Sequence, residues 1–296
     1  MASRLLAVPN VSEGRDRGRI ASLQSAFSRG ATLLDRHSDA DHDRTVFTLA
    51  GSGSALRDSL LTGAEQAIEL IDMTSYDGLH PAAGALDVCP LVWVDPSDRP
   101  AARTDAIEVA EQIGGLGVPV FLYGELATRP EHAERAYFRN GGFAELWLRM
   151  EGGELRPDYG PDAPHRTAGV TLVTARPPLA AFNLELDSGD VELARSVAAG
   201  LRESGGGLAG VRAIGLGLSG GRTQISTNVH DPLAVSLAEV IERVRSLAAP
   251  LGARPIEAEI VGLVPRAALA GFPADLPLPK FDPEIRTIEA RLAATS

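Results

Sequence analysis

The feature that most constrains the fold is the alternation of short apolar runs with longer amphipathic segments. Residues 5–8 form an apolar run of strand length, and in residues 16–28 apolar side chains recur at helical spacing. Two further short runs, 31–35 and 45–49, have strand character and precede an apolar stripe over residues 54–72 that is typical of a long helix. The order βαββα predicts a sheet with helices packed against it.

The second half of the chain shows a similar order of elements without repeating the residues. After a short strand at 171–174, the pattern predicts six elements in the order strand (181–186), helix (191–203), strand (211–216), strand (223–228), helix (233–251) and strand (257–264). Residues 156–168 are rich in Pro and Gly and have little periodicity, which indicates a boundary. We therefore expect two lobes, 1–168 and 169–296, the second with a C-terminal tail. This order is compatible with an α+β fold of two ferredoxin-like, βαββαβ-type lobes that share a cleft.

Composition argues against several classes of protein. The 39 acidic and 28 basic residues give a net charge of −11, which disfavours binding to nucleic acid or anionic lipid. No apolar run approaches the roughly 20 residues that a membrane helix requires. Cys89 is the single cysteine, and the N-terminus lacks the pattern of a secretion signal. We expect a cytoplasmic protein that binds small molecules, with Arg44, Arg166 or Arg176 available to hold a carboxylate.

Residues 35–44, between two predicted strands, hold four aspartates and two histidines. Three interpretations stay open. Carboxylate and imidazole suit a divalent metal ion, but no HExxH or paired-cysteine spacing supports a zinc site. The second interpretation is a solvated loop. The third is a substrate-facing loop in which Arg44 binds a carboxylate bidentately while a neighbouring Asp or His handles a proton.

His80 lies in a segment with Gly78, Pro81 and Gly84, so the backbone turns tightly and the imidazole projects from a loop. The imidazole titrates near neutral pH and can accept and return a proton, as transfer of an acyl-type group between two amines requires. A purely structural role is the alternative, and the residues alone leave both open.

Three other segments carry weaker signals. Residues 158–169 lack the Gly-Lys-Ser/Thr ending of a phosphate loop, and they are either an interlobe linker or a lip over a cleft with His165 and Arg166. Residues 217–221 fit GxSxG around Ser219 but lie in a predicted hairpin instead of a strand-to-helix elbow. Cys89 is bordered by apolar residues, and we expect it to be buried.

Several short motifs are spread along most of the chain. They are VPNVSEG at 8–14, DADHDRTV at 39–46, LIDM at 70–73, HP at 80–81 with GALDVCP at 84–90, VPVFLYGE at 118–125, PDYGP at 157–161, QISTN at 224–228 and VGLVP at 261–265. Together these motifs resemble those of the formiminotransferase family, whose members move a formimino group from N-formimino-glutamate to tetrahydrofolate. They occur in the family's order and at nearly its spacing.

The resemblance implies two ferredoxin-like lobes that face each other across a ligand cleft, usually in a homodimer. It also implies that His80 is the catalytic acid and base, that tetrahydrofolate is a cosubstrate and that no metal takes part. The family's folate-contacting loop falls on Gly160, Pro161, Asp162, Ala163, Pro164, His165, Arg166, Thr167, Ala168 and Gly169. The candidate substrate-binding residues are Asn10, His37, Asp39, His42 and Arg44.

Three positions depart from the family's pattern. Ala82 replaces the arginine that follows His-Pro, Tyr76 stands where histidine is common, and His37 occupies a position usually given to aspartate. Loss of a guanidinium at position 82 leaves a weaker or different anion site. Two alternatives to formimino transfer from glutamate therefore stay open: another formyl or formimino donor, and a non-catalytic folate-binding homologue.

Overall fold

A computed structural model describes residues 5–295 of the chain. Residues 1–4 and 296, at the ends of the two expected lobes, lie outside the described residues. The chain divides into two compact units, Met1–Arg176 and Pro177–Ser296. We describe each unit by itself.

The first unit is built on one mixed sheet. Its strands are β1 (Leu5–Ala7), β2 (Asn10–Val11), β3 (Thr32–Asp39), β4 (Arg44–Gly51), β5 (Leu86–Val92), β6 (Val120–Leu122) and β7 (Thr171–Arg176). Strands β1 and β2 both lie between β4 and β5 and pair with each of them in antiparallel fashion, and β3 pairs with the other edge of β4. Strand β7 lies parallel to both β5 and β6. The unit's helices are α1 (Arg17–Phe27), α2 (Gly53–Leu70), α3 (Arg99–Gly115), α4 (Arg135–Arg139) and α5 (Gly142–Glu151).

The boundary between the units lies after residue 176, eight residues beyond the expected boundary at 168/169. The strand predicted at 171–174 is present as β7, but it pairs with β5 through Cys89 opposite Val173 and with β6 through Phe121 opposite Leu172. Strand β7 therefore belongs to the first sheet. Its partners are distant in sequence, so the Pro- and Gly-rich composition before it could not reveal this pairing.

The largest apolar cluster of the first unit lies where α1, α2 and α3 pack with the sheet. Helix α1 begins where the Asp16 carboxylate accepts hydrogen bonds from the backbone of Gly18 and Arg19. Its last residue, Phe27, is fully buried, and its ring centroid lies 5.2 Å from that of Phe47 on β4. Gly63 of α2 faces the Phe27 ring, so a residue without a side chain allows the two helices to approach.

A second apolar cluster fixes α4 and α5 in the first unit. Phe138 of α4 is fully buried beside Phe121 of β6, with ring centroids 5.1 Å apart. His132 lies 4.9 Å from the Phe138 ring, and neither of its nitrogens has a hydrogen-bond partner among residues 5–295. Burial lowers the pKa of His132, so the imidazole packs here in its neutral form. The backbone of Glu134 is extended and separates the short helical turn at Pro130–Ala133 from α4, which starts only after it.

The second unit has the predicted order of elements. It contains β8 (Ala180–Leu186), α6 (Val191–Leu201), β9 (Val211–Gly217), β10 (Thr223–Val229), α7 (Leu237–Ala248), β11 (Pro255–Val261) and the tail helix α8 (Ile288–Ala294). The sheet order is β11-β8-β10-β9, and all three pairings are antiparallel. Helix α7 begins later than the predicted residue 233 because the Ser236 hydroxyl accepts a hydrogen bond from the Glu239 backbone and caps the helix there.

Two weaker sequence signals are resolved by the fold. Ser219 lies in the turn of the β9–β10 hairpin, as expected, with Leu218 and Arg222 joined by a backbone hydrogen bond of 2.8 Å. The GxSxG segment is therefore no nucleophile elbow. Cys89 is fully buried in β5, and burial raises the pKa of its thiol to about 12.

Among the described residues, no helix has the length and apolar character needed to cross a membrane.

Replacement of Gly63 with alanine should destabilise the first unit although alanine favours helix. The added Cβ would lie 2.0 Å from a ring carbon of Phe27, so the buried ring must move. We expect a loss of about 1–3 kcal/mol in the free energy of unfolding. The measurement is urea unfolding followed by tryptophan fluorescence, because Trp93 and Trp147, the two tryptophans of the chain, both lie in this unit.

Gly115→Ala is the matched control for this substitution. Gly115 is also a glycine within a helix, but a Cβ added there meets no atom within 4 Å. We expect this variant to be as stable as the wild type or more stable, by up to about 1 kcal/mol. Equal stabilities of the two variants would contradict the packing assigned to Gly63.

Candidate active site

The loop between α2 and β5 carries His80. Its backbone is held in part by Tyr76, whose hydroxyl donates to the carbonyl of His80 at 2.7 Å and lies 3.1 Å from the carbonyl of His42. Burial raises the pKa of Tyr76, so the phenol remains a donor at physiological pH. Tyr76 therefore joins the His80 loop to the turn between β3 and β4.

Asp87 is the fully buried carboxylate at the centre of the site. It lies on β5, where its Oδ1 accepts a hydrogen bond of 2.8 Å from the backbone N–H of Ala83. Its Oδ2 accepts from Arg44 at 2.7 Å and also pairs with Arg139 of α4. Burial by itself would raise the pKa of Asp87, but the charges of Arg139 and Arg44 outweigh it, so the pKa is lowered. The carboxylate is charged and ties three segments together.

Arg44 connects this carboxylate to His80. It stands at the start of β4 and is 7% exposed. Its Nε and Nη2 donate to Oδ1 of Asn10 at 3.1 and 2.8 Å, and its Nη1 lies 3.4 Å from Nδ1 of His80. The Asn10 amide nitrogen in turn donates to the carbonyl of Val8. Three of the predicted site residues, Asn10, Arg44 and His80, are thus in contact.

His80 is uncharged at neutral pH. Desolvation, followed by the charges of Arg44 and Arg139, lowers its pKa well below the ordinary value near 6.5. We assign the proton of the neutral ring to Nδ1, because that nitrogen lies 2.8 Å from the carbonyl oxygen of Pro81, which can only accept. Nε2 then keeps its lone pair and can accept a proton.

The other predicted substrate-binding residues lie near His80 and Arg44 or on the same face of the sheet as Arg44. The His42 ring is buried with its centroid 5.9 Å from that of His80. Asp39 lies opposite Arg44 across the β3–β4 pair, and its Oδ1 accepts from the backbone N–H of His42 at 2.8 Å. His37, two residues earlier on β3, shares the face of Asp39. The acidic segment is therefore a strand end and a tight turn, and Asp39 orders the turn.

The predicted folate loop, residues 160–169, runs beside the segment that follows His80. His165 and Gly169 exchange two backbone hydrogen bonds of 3.0 and 2.9 Å and close a turn. The Ala168 carbonyl accepts from the backbone of Ala85, and Gly84 pairs with Gly169. Gly169 has φ +70°, and a Cβ there would lie 2.5 Å from a backbone oxygen. The loop is thus anchored to the segment immediately downstream of His80.

Two site residues were missed by sequence reasoning. Asp87 lies in the matched GALDVCP segment but was not singled out, although a lone carboxylate in an apolar strand indicates a buried charge that needs a partner. Arg139 had no signal in the sequence, because only the fold of α4 brings it to Asp87. Ala82 is buried in the apolar cluster of the unit, and the next residue, Ala83, donates to Asp87, the carboxylate that pairs with Arg44 and Arg139.

Residues 5–295 contain no group of three or more His, Cys, Asp or Glu side chains arranged to hold a metal ion. The expectation that no metal takes part stays a prediction.

Comparison with known proteins places the chain in a family. It matches the formiminotransferase domain, N-terminal subdomain, over residues 4–176 and the formiminotransferase domain over residues 181–273. The chain therefore belongs to the formiminotransferase family, which confirms the resemblance read from its motifs.

Individual relatives are similar over nearly the whole chain. The glutamate formimidoyltransferase of Streptococcus pyogenes serotype M1 is 38% identical over 91% of this chain and 91% of its own length. The protein of the same name from Thermoplasma acidophilum is 35% identical over 88% of both chains. The formimidoyltransferase-cyclodeaminase of Gallus gallus is 37% identical over 91% of this chain, but the match spans 51% of that longer protein.

Replacement of Asp87 with asparagine should destabilise the first unit strongly. It leaves the guanidinium groups of Arg44 and Arg139 without their shared carboxylate, and breaking such a buried pair typically costs about 3–5 kcal/mol. Urea unfolding followed by tryptophan fluorescence measures this loss. Asp58→Asn, at an exposed position on α2, makes the same chemical change and should unfold like the wild type. Equal unfolding midpoints for both variants would contradict the central role of Asp87.

Proposed function

We propose that this protein is a folate-dependent glutamate formimidoyltransferase, which moves a formimino group from N-formimino-L-glutamate to tetrahydrofolate in histidine degradation and one-carbon metabolism. The observation that supports this most is the similarity to two glutamate formimidoyltransferases over about nine-tenths of each chain. The neutral His80, held beside Arg44 and Asp87, is the catalytic residue of this proposal.

The chemistry requires one group that first takes and then returns a proton. A nitrogen of tetrahydrofolate attacks the formimino carbon, and Nε2 of His80 accepts the proton that this nitrogen loses. The bond from the same carbon to the glutamate nitrogen then breaks, and His80 gives its proton to that nitrogen as glutamate leaves. The products are formimino-tetrahydrofolate and glutamate, and His80 ends in its original state.

The electrostatics of the site suit both halves of this cycle. Because desolvation and the charges of Arg44 and Arg139 disfavour the imidazolium and lower the pKa of His80, the imidazole is ready as a base at neutral pH. The same lowered pKa makes protonated His80 a strong acid, so the proton passes readily to the leaving amine. Holding the two substrates next to one another would supply a further large part of the acceleration.

The remaining assignments belong to this proposal as well. Residues 160–169 would contact the folate, and Asn10, Asp39, His42 and Arg44, with His37 at the edge, would contact the substrates. The loop's position beside Ala83, Gly84 and Ala85 supports the folate assignment.

We further propose that each unit is ferredoxin-like. The βαββαβ order and antiparallel sheet of the second unit support this for residues 180–261, and the pairing of β1, β3, β4 and β5 supports it for the first. The homodimer and the cytoplasmic location stay predictions.

The second candidate function is transfer from another formyl or formimino donor, and it is favoured by Ala82.

Replacement of His80 with glutamine should abolish most of the turnover of N-formimino-L-glutamate with tetrahydrofolate, by about 10²- to 10⁴-fold in kcat, because glutamine cannot exchange a proton. The control is His230→Gln, an exposed histidine of the second unit. Product formation by purified protein is the measurement. The second candidate function would be favoured if folded wild type turns over another one-carbon donor, dependent on His80, but does not turn over this one. A non-catalytic folate-binding protein would be favoured if folate binds and no donor is turned over.

The pH profile of kcat/KM should have its acid limb below pH 6.5. His80 acts as a base only when neutral, and its lowered pKa keeps it neutral at pH values where an ordinary histidine is already protonated. Arg139→Gln removes one of the charges that lower this pKa, so the acid limb should move to higher pH, whereas Arg29→Gln at an exposed position should leave it in place. An acid limb above pH 6.5 in the wild type would contradict the assigned electrostatics.

A further inference from the structure

Three guanidinium groups lie near His80, and two of them share the single carboxylate of Asp87. Arg44 and Arg139 both pair with Oδ2 of Asp87. Arg135 lies four residues before Arg139 on α4, and it forms no ion pair with any carboxylate in residues 5–295. Its contact is with an aromatic ring, since its guanidinium carbon lies 5.9 Å from the centroid of Tyr123. The cluster therefore has more positive charge than its own acid neutralises.

This arrangement is unfavourable for the protein by itself. Like charges at positions i and i+4 destabilise a helix, and α4 has only five residues. Desolvation lowers the pKa of Arg135, and the charges of Arg139 and Arg44 lower it further. Sites where charges are held together against their repulsion are often sites that bind a ligand of opposite charge.

The cluster also has unused hydrogen-bonding capacity. Nε of Arg139 is buried and has no hydrogen-bond partner among residues 5–295. Arg135, on the same short helix, is half-buried and has no carboxylate partner among residues 5–295. A guanidinium presents a planar set of donors that fits a carboxylate with two parallel hydrogen bonds. A carboxylate would therefore satisfy both the free donors and the excess charge.

The cluster lies next to the proposed catalytic group. Nη1 of Arg44 is 3.4 Å from the His80 ring, and the charges of Arg139 and Arg135 both act on His80. A ligand bound by these arginines would thus present its other groups to the imidazole. The donor of the proposed reaction is an amino dicarboxylate, with its reacting nitrogen a few bonds from its acid groups.

We propose that Arg135 and Arg139, together with Arg44, form the binding site for a carboxylate of the one-carbon donor, and that Arg135 is a specificity-determining residue for an acidic donor. The assignment of the ligand as the donor rests on the proposed function. The site itself rests on the geometry of the cluster.

The central test is the steady-state kinetics of Arg135→Gln. We expect the KM for N-formimino-L-glutamate to rise about 10- to 100-fold, as for loss of a charge-assisted hydrogen bond, with the KM for tetrahydrofolate changed less than about two-fold. Arg135→Lys keeps the charge without the fork and should give an intermediate KM. Arg29→Gln changes the net charge equally at an exposed position and should have both KM values of the wild type.

A folding check accompanies the kinetics. Because Arg135 forms no ion pair in the described part of the chain, the melting temperature of ligand-free Arg135→Gln should equal that of the wild type or exceed it. A wild-type donor KM in a folded Arg135→Gln variant would overturn the inference and leave the proposed function intact.

Calorimetric titration with L-glutamate separates the inference from the proposed function. Should the wild type turn over no formimino donor, binding of L-glutamate that Arg135→Gln loses and Arg29→Gln keeps would support the carboxylate site alone. Absence of L-glutamate binding by an inactive wild type, or equal binding by Arg135→Gln, would overturn the site.

Discussion

The buried carboxylate of Asp87 is the interaction on which the site depends. A charged group with no solvent exposure is stable only when its partners offset the cost of desolvation, and Asp87 has Arg44, Arg139 and a backbone N–H. These partners come from β4, α4 and the loop after His80. One side chain of β5 thereby fixes the relative positions of the strand that carries Arg44, the helix that carries Arg139 and the loop that carries His80.

Much of the fold could be predicted because it depends on local signals. The apolar stripe of α2, the hairpin of β9 and β10 and the element order of the second unit are periodic patterns that survive in the structure. The pairing of β7 with β5 could not be predicted, because parallel strands meet through connections many residues long. The break at Glu134 that separates α4 from the preceding turn likewise depends on the packing of His132 and Phe138.

The site residues that belong to recognised sequence motifs could be predicted. Those that only the tertiary structure brings to the site could not. His80, Arg44 and Asn10 belong to matched segments, and the structure brings them into contact. Arg135 and Arg139 lie on a five-residue helix without a recognised motif, and nothing in their spacing points to β5. The alanine at position 82 suggested a weakened anion site, but cations from other segments of the first unit gather around Asp87. The loss of a cationic residue at one position therefore does not determine the charge of the whole site.

The cationic cluster also has a consequence for the order of events at His80. In the absence of a ligand, desolvation together with the charges of Arg44, Arg139 and Arg135 lowers the pKa of His80, which keeps the imidazole neutral but makes it a weak base. A carboxylate bound among these arginines would offset part of their charge, so the part of the lowering of the His80 pKa that these charges cause would be reduced. The proposed donor would then increase the basicity of the group that must accept the proton from the incoming nitrogen. Binding of the acidic half of the donor and readiness for proton transfer are coupled in such a site through charge alone.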